Sequence, residues 1–185
     1  YFGTQVKPCV YNWINHTKPF KPLNNISPMK ILMVCLGNIC RSPLAEGILQ
    51  KKIEQRGLDA TVDSAGTAAY HVGEMPDQRS IEIANKHGID ISHQSARQFE
   101  MIDFKRFDKI YAMDKHNYDD LAAMARDPIE RHKVEMILNV IEPKGNRSVP
   151  DPYYGGKDGF INVYNMLDEA TEVVADMIEK ETKKV

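Results

Sequence analysis

A chain of 185 residues, 42% hydrophobic and 27% charged, has room for one compact domain that buries most of its apolar surface. Its formal charge of -2 and isoelectric point near 6.3 supply no global field for nucleic acid or an anionic membrane, so any anion site has to be local. No apolar run approaches the ~18 residues of a bilayer span, and the N-terminus lacks the ~7–15-residue apolar core of a secretory signal, which points to the cytoplasm and away from a membrane partner.

Residues 1–28 carry repeated Lys-Pro and no helical or strand period, and read as an extended arm ahead of a domain over 29–185. Two Asn-x-Ser/Thr triplets in the arm, at Asn15 and Asn25, match a glycosylation pattern that is common by chance, and Cys9 reads as a bystander. From Lys30, "KILMVCL" is a short continuous apolar run, the mark of a strand buried on both faces of a parallel sheet. A helix follows: Pro43 suits its first turn, Leu44, Ala45, Ile48, Leu49 and Ile53 recur at helical spacing, and Gly57 stops it. "ATVDSAG" reads as a second strand, and Ser80 to His87 as a short helix closed by Gly88. "FDKIYAMD" is a third strand, "HNYDDLAAMAR" a helix and "KVEMILNVI" a weaker strand or strand plus turn. A loop rich in Pro and Gly, "EPKGNRSVPDPYYGGKDG", precedes a closing amphipathic helix marked by Phe160, Val163, Tyr164, Leu167, Ala170, Thr171, Val174 and Ile178. Strands alternating with helices predict an open α/β sheet, whose ligands sit beyond the C-terminal strand ends.

The first strand-to-helix turn falls at that place. Of three cysteines in the chain, two lie in it. Cysteines so few and so placed suggest catalysis, redox chemistry or metal binding rather than a disulfide framework. Gly37 can take positive φ and Asn38 tolerates it, so the turn can aim successive N–H groups inward as an anion nest. The helix start adds to the same field, and Arg41 offers a planar fork for two oxygens of a phosphate. Without the GK[ST] ending this is not a nucleotide-binding loop of the Walker type. What stands at its mouth is Cys35, which amides, a helix start and a guanidinium favour as a thiolate able to attack phosphorus. Ser42 is placed to donate to the sulfur and help it leave. Alone, Cys35 would read as an inert core cysteine at a strand end. A departing oxygen also needs a proton, and the candidate donor is Asp151 in "VPDPYYGG", held between two prolines. Tyr153 and Tyr154 can wall an aromatic slot. On composition alone the same segment reads as a solvated Asp-Pro turn.

The run "VCLGNICRSP", followed in order by "DSAG", "HGI", "ARQ", "MD" and "DPYYG", resembles the low-molecular-weight protein tyrosine phosphatases over Met29 to Val185. The resemblance implies an open doubly wound, phosphatase I-like α/β fold: a four-stranded parallel sheet with helices on both faces. It also implies no metal or other cofactor, and two-step hydrolysis of phosphotyrosine in protein substrates, and of small aryl phosphates, through a phosphocysteine. By matching position, Cys35 is the nucleophile, Arg41 the clamp and Asp151 the acid that later activates water. The phosphate-binding loop is Leu36, Gly37, Asn38, Ile39, Cys40, Arg41 and Ser42. Asn38, Ser42, Ser64 and His93 match the polar network supporting it, while Tyr70, Tyr153 and Tyr154 match the cleft rim. Asp114 matches an acidic residue near the cleft, and Cys40 a redox guard able to form a disulfide with Cys35. Arsenate reductases of this fold relay oxidation through further downstream cysteines, and none follows Cys40. Protein-arginine phosphatases typically place Thr where Ile39 stands. A phosphate-binding module without turnover is a third alternative, opposed by the retained nucleophile, clamp and acid.

Overall fold

The computed structural model describes residues 27–153 and 156–183. Most of the sequence-assigned arm, with Cys9 and both triplets, lies outside the described residues, as does Tyr154. Strand β1 (Met29–Cys35) occupies the middle of the sheet, paired in parallel with β2 (Ala60–Gly66) on one side and β3 (Lys109–Ala112) on the other. β4 (Val134–Met136) pairs in parallel with β3, giving the order β2-β1-β3-β4. The α/β architecture is the one the alternating pattern predicts, and its four parallel strands are what the family resemblance implies.

The continuous apolar run of β1 follows from burial on both faces. Ile31, Met33 and Cys35 join one core with Leu44, Ala45, Ile48 and Leu49 of α1 (Arg41–Arg56), with α2 (Gln78–Lys86) and with α6 (Gly156–Lys183). Leu32 and Val34 join the other, with Phe99, Phe104, Phe107, Ile110 and Leu121. Phe104 belongs to α3 (Asp103–Arg106) and Leu121 to α4 (Lys115–Met124). The short α5 (Pro128–His132) leads into β4, which passes at once into a single 3-10 turn, Ile137–Val140. Gly57, at φ 60°, ends α1 in the left-handed conformation, as its place after the last apolar residue predicts.

Three segments depart from the sequence reading. α1 begins two residues before Pro43, at Arg41, because the loop's last turn is already helical. α2 begins at Gln78, because Asp77 accepts from the Arg79 N–H and caps it. α6 begins at Gly156, ahead of the first apolar marker at Phe160. Among the described residues no helix is long and apolar enough to cross a membrane.

Candidate active site

β1 delivers Cys35 to the C-terminal edge of the sheet, and α1 starts six residues later, so Leu36–Cys40 must turn within a few ångströms of the sulfur. The turn is made by Asn38 at φ 56°, while Gly37 keeps negative φ. The sequence reading allowed positive φ at Gly37 as well. Its small size answers a different constraint: a Cβ there would lie 2.8 Å from His71 Cδ2.

Asn38 holds its strained backbone by spending every side-chain hydrogen-bonding group it has. Its Nδ2 donates to Ser42 Oγ (2.9 Å) and Ser64 Oγ (2.8 Å), and its Oδ1 accepts from the Arg97 N–H (2.9 Å). Because Ser42 Oγ already accepts from Asn38, its own proton is available to Cys35 Sγ, 3.0 Å away. The Asn38 N–H also points at that sulfur, at 3.2 Å. Ser64 passes its proton on to Glu46 Oε2 at 2.5 Å. Burial pushes Glu46 up to about 7, with Asp63 adding to the effect and Ser64, Arg97 and Gln94 opposing it. Among the described residues, the N–H groups of Gly37, Ile39 and Cys40 have no intrachain acceptor. A loop with that many open donors is built to receive an anion.

Arg41 lies almost wholly inside the protein. Its Nη1 donates to Asp114 Oδ2 (2.6 Å) and to Val149 O (3.1 Å), and its Nη2 reaches Asp151 Oδ2 at 3.4 Å. Burial disfavours its charge, but Cys35, Asp114 and Asp151 outweigh that cost, so the guanidinium is held above its ordinary range. Asp114 also accepts from the Asn117 N–H (2.8 Å) as the cap of α4, so the Arg41 guanidinium is fixed to a helix start. Burial and, after it, Asp77 push the buried Cys40 thiol up to about 12.

Cys35, Leu36, Gly37, Ile39, Cys40, Arg41, Tyr70, Asp151 and Tyr153 line one cleft of about 300 Å³, joined by His71. Asn38, Ser42 and Ser64 stand behind it. His93 does not join them: it is exposed, and among the described residues no hydrogen bond links it to Ser64 or Asn38. The adjacent Gln94 is the less exposed of the two and carries a buried side-chain oxygen. The sequence reading also missed Glu46, His71, Arg97, Asp77 and Arg79. "ARQ" and "DSAG" were legible as motifs, but nothing in them says that the Arg97 backbone would cap the Asn38 amide.

The model of the family described as low molecular weight phosphotyrosine protein phosphatase matches residues 30–184. The chain belongs to that family. A low molecular weight phosphotyrosine protein phosphatase of Schizosaccharomyces pombe is 44% identical over 142 residues, 75% of this chain and 90% of the relative. The crystal structure of YfkJ from Bacillus subtilis superposes with a TM-score of 0.78 at 35% identity, covering 85% of this chain and 98% of YfkJ. A Drosophila arginine phosphatase, at 35% identity, covers 80% of this chain and 97% of its own with a TM-score of 0.75. The shared fold therefore does not by itself separate aryl from guanidino phosphates.

Proposed function

We propose that this family member, a cysteine-dependent phosphotyrosine phosphatase, divides its chemistry among Cys35, Arg41 and Asp151. The phosphate of a phosphotyrosine side chain settles against the open N–H groups of the loop and the Arg41 guanidinium, with its phosphorus above Cys35 Sγ. The sulfur forms a bond to phosphorus as the bond to the phenolic oxygen breaks, and the Asp151 carboxyl gives that oxygen its proton. In the second step the Asp151 carboxylate takes a proton from water, the water oxygen bonds to phosphorus, and the sulfur–phosphorus bond breaks. Ser42 Oγ, 3.0 Å from Sγ, steadies the departing sulfur. Leu36, Ile39, Tyr70 and Tyr153 give the cleft apolar and aromatic walls suited to a phenyl ring. An apolar Ile39 in that wall also favours an aryl ester over phosphoarginine.

The observation that carries this reading is the unpaired N–H groups of the loop gathered with a buried arginine around one sulfur. Cys35→Ser should abolish turnover of an aryl phosphate while vanadate still binds in equilibrium titration; substantial residual turnover removes Cys35 from the nucleophile role. Phosphotyrosine, phosphoserine and phosphoarginine peptides assayed side by side should be turned over in strong preference for the first.

A further inference from the structure

We propose that Arg79, on α2, is a positioning residue that holds the Asp151 carboxylate over the cleft; the inference rests on the acid role assigned to Asp151 above. The acid segment is pinned on both sides of Asp151. Before it, the Val149 N–H donates to Met113 O (2.8 Å) and Val149 O accepts from Arg41 (3.1 Å). After it, Arg79 Nη1 donates to Tyr153 O at 3.0 Å. The same peptide segment serves the acid directly, because the Tyr153 N–H donates to Asp151 Oδ1 at 3.0 Å. Arg79 thus fixes Tyr153, and Tyr153 fixes the carboxylate.

The remaining faces of the guanidinium tie this pin to the nucleophile loop. Nε and Nη2 clamp Asp77 at 2.9 and 2.7 Å, and the Asp77 N–H donates to Ile39 O at 2.7 Å. The flat face lies 4.5 Å from the centre of the Phe160 ring and 5.3 Å from that of Tyr153. One side chain therefore connects the loop carrying the nucleophile to the loop carrying the acid, from Ile39 through Asp77 to Tyr153 and Asp151. Forking, donating to a carbonyl and stacking on two rings at once are possible for a guanidinium and not for an ammonium. Two-thirds of its side chain is covered and it does not line the cleft, so Arg79 acts on the chemistry through the groups it holds, chief among them Asp151.

The test is kcat/KM for phenyl phosphate, a poor leaving group, and 4-nitrophenyl phosphate, a good one, in the full chain, Arg79→Ala, Arg79→Lys, Asp151→Asn and the double variant. Vanadate binding confirms that each phosphate loop is intact. Displacing a catalytic group by about an ångström is worth up to ~100-fold, so both Arg79 variants should lose about tenfold or more on phenyl phosphate and under about threefold on 4-nitrophenyl phosphate. In the Asp151→Asn background, Arg79→Ala should add nothing on either substrate. Equal losses on the two substrates, full activity of Arg79→Lys, or additive losses in the double variant would each overturn the inference. If Asp151→Asn is itself indifferent to the leaving group, the acid assignment falls; if it is selective and Arg79→Ala is not, only the role of Arg79 falls.

Discussion

Peroxide attacks thiolates rather than thiols, so the nucleophile role proposed for Cys35 predicts an order in which the two cysteines of the loop meet an oxidant. Cys40, pushed up to about 12 chiefly by burial and next by Asp77, stays protonated and should be spared while Cys35, in the nucleophile role proposed above, is oxidised to the sulfenic acid. We propose that Cys40 then displaces hydroxyl from the sulfenic sulfur, its own proton leaving with the hydroxyl as water, and that a reductant thiol restores both cysteines from the disulfide. Wild-type activity lost to peroxide should therefore return with added thiol, and peptide mapping should find Cys35 joined to Cys40. Cys40→Ser should recover far less; full recovery would leave Cys40 without a protective role. At this scale the sequence was readable where a residue type has few alternative uses: a cysteine, an arginine and an asparagine in one short turn. It was not readable for Glu46 or Gln94, since a polar residue on a helix or loop usually faces solvent and only the fold turns these two inward. His93 attracted the assignment because histidine is chemically conspicuous, while its side chain stays exposed and that of the neighbouring Gln94 carries a buried oxygen.

Between elements, the tightest contact near the site is made where nothing protrudes. A Cβ on Gly66, the last residue of β2, would stand 2.7 Å from Leu36 O, 3.0 Å from Ala68 O and 3.2 Å from the Asn38 N–H. All three are backbone atoms, so no side chain can swing away to make room. Gly66 also accepts from the Phe99 N–H and donates to Arg97 O, both at 2.8 Å, so β2 cannot retreat without breaking its edge. Gly66→Ala should push the phosphate loop off the sulfur. A loss of about 1–3 kcal/mol in urea unfolding is expected from overpacking, with a larger relative loss in vanadate affinity than a remote substitution of equal destabilisation would cause. Unchanged vanadate affinity would separate the end of β2 from the loop. The strands and long helices were legible because each carries a period repeated over several residues. The helices α3 and α5, of four and five residues, are too short to show one. The Asp77–Arg79 clamp was hidden for another reason: its partner Tyr153 lies more than seventy positions away in the chain.

Across the whole molecule, ionisable groups pull stability in opposite directions with pH. Asp77 is held below its ordinary range chiefly by its hydrogen bonds to Arg79, and Asp176 and Glu179 by theirs to Arg56 and Lys183. Each of these is a depressed carboxylate, so its contribution is present above the unfolded value and lost as pH falls through the folded one. Glu46 has the opposite sign. Its folded value is raised from 4.5 to about 7 by burial, so the native state binds the proton more tightly than the unfolded chain does. Its contribution is intact below about pH 4.5 and drains away as pH climbs to about 7, by an order of ~3 kcal/mol. Stability should therefore peak on the acid side of neutrality. The informative quantity is the difference between wild type and Glu46→Gln in urea midpoints across pH 5 to 8, which cancels every group the two proteins share. Wild-type stability should fall more steeply with pH than that of the variant, because glutamine keeps an acceptor for Ser64 but has no proton to lose. Parallel curves would mean that Glu46 ionises in the folded protein no differently from an exposed glutamate, and the acid behind the Ser64–Asn38–Ser42 chain would then be charged throughout the working range of the enzyme.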